Sequence, residues 1–129
     1  MARKSVFSGS PFEKSIGFSR AVRIGNIIAV SGTAPIAEDG KTACPDDLYG
    51  QTKRCIEIIA AAIEQAGGSL SDVIRTRIFL TDIDRWPEAA KAHGEYFSDI
   101  QPAATMIGMA KLISPDWLIE MEADAVVKE

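Results

Sequence analysis

The tail of the chain limits the possible folds more than any other part. From Leu118 to Val127 the sequence LIEMEADAVV alternates strictly. Successive side chains of an extended strand face opposite sides. Leu118, Glu120, Glu122, Asp124 and Val126 therefore share one face, and Ile119, Met121, Ala123, Ala125 and Val127 share the other. Three carboxylates then stand along one face with about 7 Å between neighbours. Left unpaired they repel, so the remaining residues must solvate, pair or use them. The wider segment 101–127 reads as two strands joined by a short proline-containing turn.

Other elements follow from local signals. A short strand is expected near Ser5–Ser8. Phe18–Ile24 and Ile27–Ser31 form a hairpin, because Gly25-Asn26 between them suits a two-residue turn that needs positive φ. Gly32 in the second strand points to a bulge or a close backbone approach. Asp46 or Asp47 caps a helix that runs to about Ala66, with Leu48, Cys55, Ile59, Ala62, Ile63 and Ala66 on one apolar stripe. Gly67-Gly68 ends it. Residues 74–81 form a strand with Ile74, Thr76, Ile78 and Leu80 on one face and Arg75, Arg77, Phe79 and Thr81 on the other. A second helix covers about 87–98, with Ala90, His93 and Phe97 facing inward beside Ala89.

This order, β-β-α-β-α-β-β, places both helices on one face of a mixed sheet. The fold class is an α+β two-layer sandwich, one domain over 1–129. The opposite sheet face mixes Arg75, Arg77 and the acidic row with Phe79, Met106 or Ile107, and Val126. It is too apolar for a free surface and too charged for the core of a single chain, so burial against further copies of the chain is expected.

At 129 residues, 47% hydrophobic and 25% charged, the chain has the profile of an ordinary globular protein. A net charge of -4 argues against a general nucleic-acid footprint. No stretch resembles a secretory signal or a membrane span. Cys44 and Cys55 have no metal or redox spacing, and a cytoplasmic protein with free thiols is expected.

Several short motifs, in order, carry a family resemblance: Ile24-Gly25-Asn26 with Ile28 through Ser31-Gly32; Ala66-Gly67-Gly68; Asp72-Val73 and Leu80-Thr81-Asp82; Tyr96-Phe97; Gln101-Pro102-Ala103; and Ile119 to Val126. Over roughly 16–127 the chain resembles the RidA/YjgF/UK114 family, long labelled L-PSP endoribonuclease. The resemblance implies a chorismate-mutase-like fold, a homotrimer, and small-metabolite sites in inter-subunit clefts. It also implies hydrolysis of reactive enamines or imines without a cofactor. In the family an arginine grips the substrate carboxylate and a glutamate handles water.

The departures are specific. Ala104 stands where the resemblance places the arginine, and Lys111 is too far along to replace it. Phe18 stands in the place of a tyrosine, and Met106 in that of a cysteine. Standard 2-imino acid deaminase activity is therefore expected to be weak or absent. What remains is Ser31 and Gly32 with Glu122 as the catalytic carboxylate, Thr105 adding a hydroxyl.

Each candidate has a plainer alternative. Glu122 either holds a water or pairs with Arg75 or Arg77. Glu120 and Asp124 read as solvated or salt-bridged. His93, the single histidine, reads first as a half-buried packing residue and second as a proton-transfer group. Arg20, Arg75 and Arg77 are candidate anion anchors. Besides a hydrolase, the cleft fits a non-catalytic metabolite-binding module. An endoribonuclease is disfavoured, since there is no histidine pair or basic stripe.

Overall fold

The computed structural model describes residues 1–128. Six strands form one mixed sheet: β1 (Arg3–Val6), β2 (Ala21–Ile24), β3 (Ile27–Thr33), β4 (Val73–Leu80), β5 (Ala103–Gly108) and β6 (Ile119–Val126). Their spatial order is β1-β2-β3-β6-β4-β5. β4 and β5 are parallel, and every other neighbouring pair is antiparallel. Two helices, α1 (Leu48–Gln65) and α2 (Trp86–Phe97), share one core with the sheet.

The acidic strand takes a central position. Ile119, Met121, Ala123 and Ala125 on β6 are fully buried toward the helices. A strand with one wholly apolar face is covered best between two neighbours, here β3 and β4. β5 is largely exposed and lies at the sheet edge. The segment 101–127 is therefore not two adjacent strands joined by a short turn. Residues 109–118 carry the chain from the edge, past β4, to the centre of the sheet.

The local signals hold with small differences. The Gly25-Asn26 turn closes the β2–β3 hairpin with φ at 60° on Gly25 alone, the pattern of a II′ turn with glycine first. α1 starts at Leu48, since Cys44 and Asp46 sit at φ 45° and 60°, outside helical space. Asp47 caps it by accepting from the Gly50 N–H. At its other end Gly68 N–H reaches the Ile63 carbonyl and Gly67 N–H reaches Glu64, with Gly67 at φ 92°, a Schellman ending. On β4 the register shifts between Val73 and Arg75. This irregularity puts Val73 into the core and leaves Ile74 53% exposed. The seam of α2 is Ala89, Ala92 and Phe97; Ala90 and His93 lie at its margin.

Gln51, on the first turn of α1, is fully buried. Its Nε2 donates to the carbonyls of Asp116 (3.1 Å) and Cys44 (3.4 Å), and its Oε1 accepts from the Leu118 N–H (2.9 Å). It ties the long connection before β6 to the loop before α1. Leucine at this position leaves three backbone groups without their partner. Gln51→Leu is expected to cost about 3 kcal/mol, read as a lowered urea midpoint; a loss under about 1 kcal/mol would show that water replaces the clamp.

Candidate functional site

The β3 bulge organises the open sheet face. Val30 pairs with Ala123 and Thr33 with Met121, so Ser31 and Gly32 together oppose Glu122. The segment before β2 is strapped to this bulge. Ser31 Oγ donates to the Ser19 carbonyl at 2.6 Å, Ser31 N–H to the Arg20 carbonyl at 3.1 Å, and Arg20 Nη2 to the Gly32 carbonyl at 2.6 Å. Phe18, Ser19 and Ser31 line a cavity of about 480 Å³ with Glu13 and Lys14 on its wall. Glu13 is itself buried. Burial pushes its carboxyl up, but the Ser8 N–H and hydroxyl, the Gly9 N–H and the charge of Arg20 outweigh that and hold it below the ordinary value.

Register separates the three carboxylates of β6. Arg77 stands opposite Glu122, and its Nη1 lies 3.3 Å from Glu122 Oε1 and 3.0 Å from Asp124 Oδ2. Glu120 stands opposite Phe79, which offers no charge. Its carboxylate fills the space beside Gly32 where any side chain would collide with it. Burial pushes the Glu120 carboxyl up, Arg20 draws it down and Glu122 pushes it up again; it ends above the ordinary value. The desolvated acid at the bulge is thus Glu120. Glu122, singled out from the sequence, is engaged by Arg77. Only the strand register distinguishes them, and the sequence does not display it.

The remaining candidates lie elsewhere. Thr105 shares the open face but belongs to edge strand β5, in register with Arg77. Three strand spacings separate it from the bulge, about 14 Å. Ala104 is in register with Thr76, on the helix side of β5. His93 Nε2 lies 2.9 Å from Thr76 Oγ1, and its ring stacks on Phe97 at 4.6 Å. Burial lowers its proton affinity. Phe18, Ser31, Gly32, Glu120 and Glu122 lie around the bulge; His93 and Ala104 lie on the helix side, each beside Thr76. Among the described residues no group of three or more His, Cys, Asp or Glu side chains is placed to hold a metal ion.

The family profile described as Endoribonuclease L-PSP matches residues 10–127. The chain belongs to the RidA/YjgF/UK114 family. A solved member of that family, Rv2704 of Mycobacterium tuberculosis, is 44% identical over 98% of this chain and 100% of its own, with a TM-score of 0.89. The YjgF gene product of E. coli is 27% identical, covers 97% and 99%, and superposes at 0.83. Among curated relatives, a RutC family protein of Pyrococcus abyssi is 37% identical over 97% of this chain and 98% of its own. The 3-aminoacrylate deaminase RutC of Acinetobacter baylyi is 36% identical over 83% and 84%. The mixed six-stranded sheet with two helices is the fold of these family structures, and no helix among the described residues is long and apolar enough to cross a membrane.

The Glu120 environment fixes a pH dependence in this RidA-type chain. Its folded proton affinity lies above that of the unfolded chain, so folding favours the protonated acid. Stability is then lost as pH rises through the interval from the ordinary carboxylate value of 4.5 to the raised folded one. Glu120→Gln mimics the protonated form. It is expected to be more stable than the native chain at about pH 8, with the difference fading below about pH 4. Urea midpoints across pH read this directly; a pH-independent difference would contradict the assignment.

Proposed function

We propose that the chain is a homotrimer whose uncovered sheet face is buried between subunits, with a small-metabolite site in each cleft. The apolar residues Ile27 (62% exposed), Ile107 (44%) and Val126 (36%) lie on that face beside the ion pairs of Arg77. Such a mixture is covered well by further copies. The distance of β5 from the bulge also favours a partner. Thr105 meets Ser31 and Gly32 across a subunit boundary more readily than across its own sheet.

Within the cleft the chain acts as a hydrolase on a reactive enamine- or imine-type metabolite. The observation that carries this reading is the half-buried, desolvated Glu120 carboxyl set against Gly32 at the β3 bulge. The protonated carboxyl donates its proton to the enamine carbon, giving an iminium and a carboxylate. Water, deprotonated by the carboxylate, adds to the carbon bearing nitrogen. The same carboxyl returns the proton to nitrogen, the C–N bond breaks as the carboxylate takes up the hydroxyl proton, and ammonia and a carbonyl product leave with the carboxyl restored. Ser31 and Thr105 orient the substrate, Phe18 supplies an apolar wall, and no cofactor takes part. Glu122, tied to Arg77, is the second candidate for the water-holding role. The deaminase name of the Acinetobacter relative supports the enamine class.

Ala104 lies on the helix side of edge strand β5, so it bears on the cleft where that edge meets a neighbouring subunit. With no guanidinium on β5, carboxylate-bearing 2-imino acids are held poorly. Ammonia release from freshly generated 2-aminoacrylate is expected to be slow in the native chain and to rise at least about tenfold in Ala104→Arg. With an enamine that turns over, Glu120→Gln is expected to lower the rate about 100-fold and Glu122→Gln by less than about tenfold. The reverse order would return the role to Glu122. Absence of ammonia, together with thermal stabilisation by metabolites, would make the cleft a binding module. RNA is expected to remain intact.

Native mass measurement checks the assembly. Three copies are expected, and a monomer would remove the inter-subunit cleft.

A further inference from the structure

We propose that Arg20 is the internal counter-charge of this site, a positioning residue that acts on Glu120 from the other side of Gly32. The inference rests on the assignment of Glu120 for its meaning in turnover, though the electrostatic contact can be measured without turnover.

Arg20 belongs to the strap rather than to the sheet. Its N–H donates to the Val6 carbonyl at 2.7 Å and its own carbonyl accepts from Ser31, so the backbone is fixed at both ends. Its Nη2 is anchored on the Gly32 carbonyl at 2.6 Å. Gly32 therefore has the guanidinium on its carbonyl and the Glu120 carboxylate in the place of its side chain. Any residue but glycine would separate the two charges or displace one of them. The Arg20 Nε–H is buried and lacks a hydrogen-bond partner among the described residues. A desolvated cation with an unused donor is costly unless nearby negative charge compensates it.

Two carboxylates supply that charge, and they are not equivalent. Glu13 is already saturated by Ser8 and Gly9. Glu120 has no hydrogen bond among the described residues. The groups around Glu120 leave one source of attraction. Glu122, its neighbour along β6, repels it. Arg77 on β4 is committed to Glu122 and Asp124. Cys55 reaches toward the site from α1, but its Sγ donates to the Thr33 carbonyl at 3.3 Å and burial pushes its thiol far up. That leaves Arg20 as the cation that draws the Glu120 proton affinity back toward the ordinary range. Without it, burial and Glu122 act together, and the proton affinity of the acid rises further.

Carboxyl-carbon NMR titration of Glu120 tests the contact, in the native chain, in Arg20→Gln and in Arg20→Lys. Glutamine keeps an N–H donor for the Gly32 carbonyl and loses the charge; lysine keeps the charge. The Glu120 midpoint is expected to rise by about one pH unit or more in Arg20→Gln and to stay near the native value in Arg20→Lys. An unchanged midpoint in a folded Arg20→Gln chain overturns the proposal. Should that variant not fold, the native chain still decides. The Arg20 Nε–H resonance is expected to titrate with the Glu120 midpoint and to lose that step in Glu120→Gln. A resonance that stays flat while Glu120 titrates overturns the proposal. Loss of the hydrolase reading alone would leave both titrations as stated, so the two failures are distinguishable.

Discussion

One arginine cannot neutralise three carboxylates. β6 places Glu120, Glu122 and Asp124 on one face, and β4 meets them with Arg77, whose Nη1 serves Glu122 and Asp124 together. Both pairs are about a third exposed, so neither contributes much stability alone. Their larger effect is to partition the row. Two acids are held on the sheet, and the third is left facing an aromatic ring on one side and a glycine on the other. The bulge, the strap from Phe18 to Arg20 and the bare backbone of Gly32 border that third acid.

The fold was legible where the signal is local. The turn at Gly25-Asn26, the Asp47 cap, the Gly67-Gly68 ending and the alternation of β6 each reflect the backbone's own requirements, which residue type reveals directly. The residues read onto the α1 stripe, from Leu48 to Ala66, are all buried, but Gln51, Thr52 and Ile56 are buried with them. Strand order was not legible in this way. Consecutive strands often pair, and that expectation placed β5 beside β6. The greater burial demand of β6 overrode it.

The site was half legible. Ser31, Gly32 and Phe18 do gather at one bulge. The choice between Glu120 and Glu122 depends on what stands across from each: a two-residue shift in pairing would exchange them, and a one-residue slip would turn both to the other face. Arg20 reads from the sequence as one of three candidate anion anchors. Its use of the Gly32 carbonyl depends on a bulge whose hydrogen bonds no sequence pattern encodes. Gln51 was missed for a similar reason: a polar residue on an apolar stripe reads as an interruption until its three backbone partners are known.

The position of β6 also bears on how the sheet is assembled. The strand that joins β3 to β4 is made after every other strand of the sheet. Without it, β1–β3 and β4–β5 would be two separate ribbons with a strand-wide gap between them. The last strand closes that gap and makes antiparallel ladders to both ribbons at once. Closure requires the longest loops in the fold to be ordered in a single step. During synthesis on the ribosome the two ribbons would therefore present their inner edges to the solvent for the longest time. The charges on the closing strand then keep an otherwise apolar segment soluble while it waits to insert.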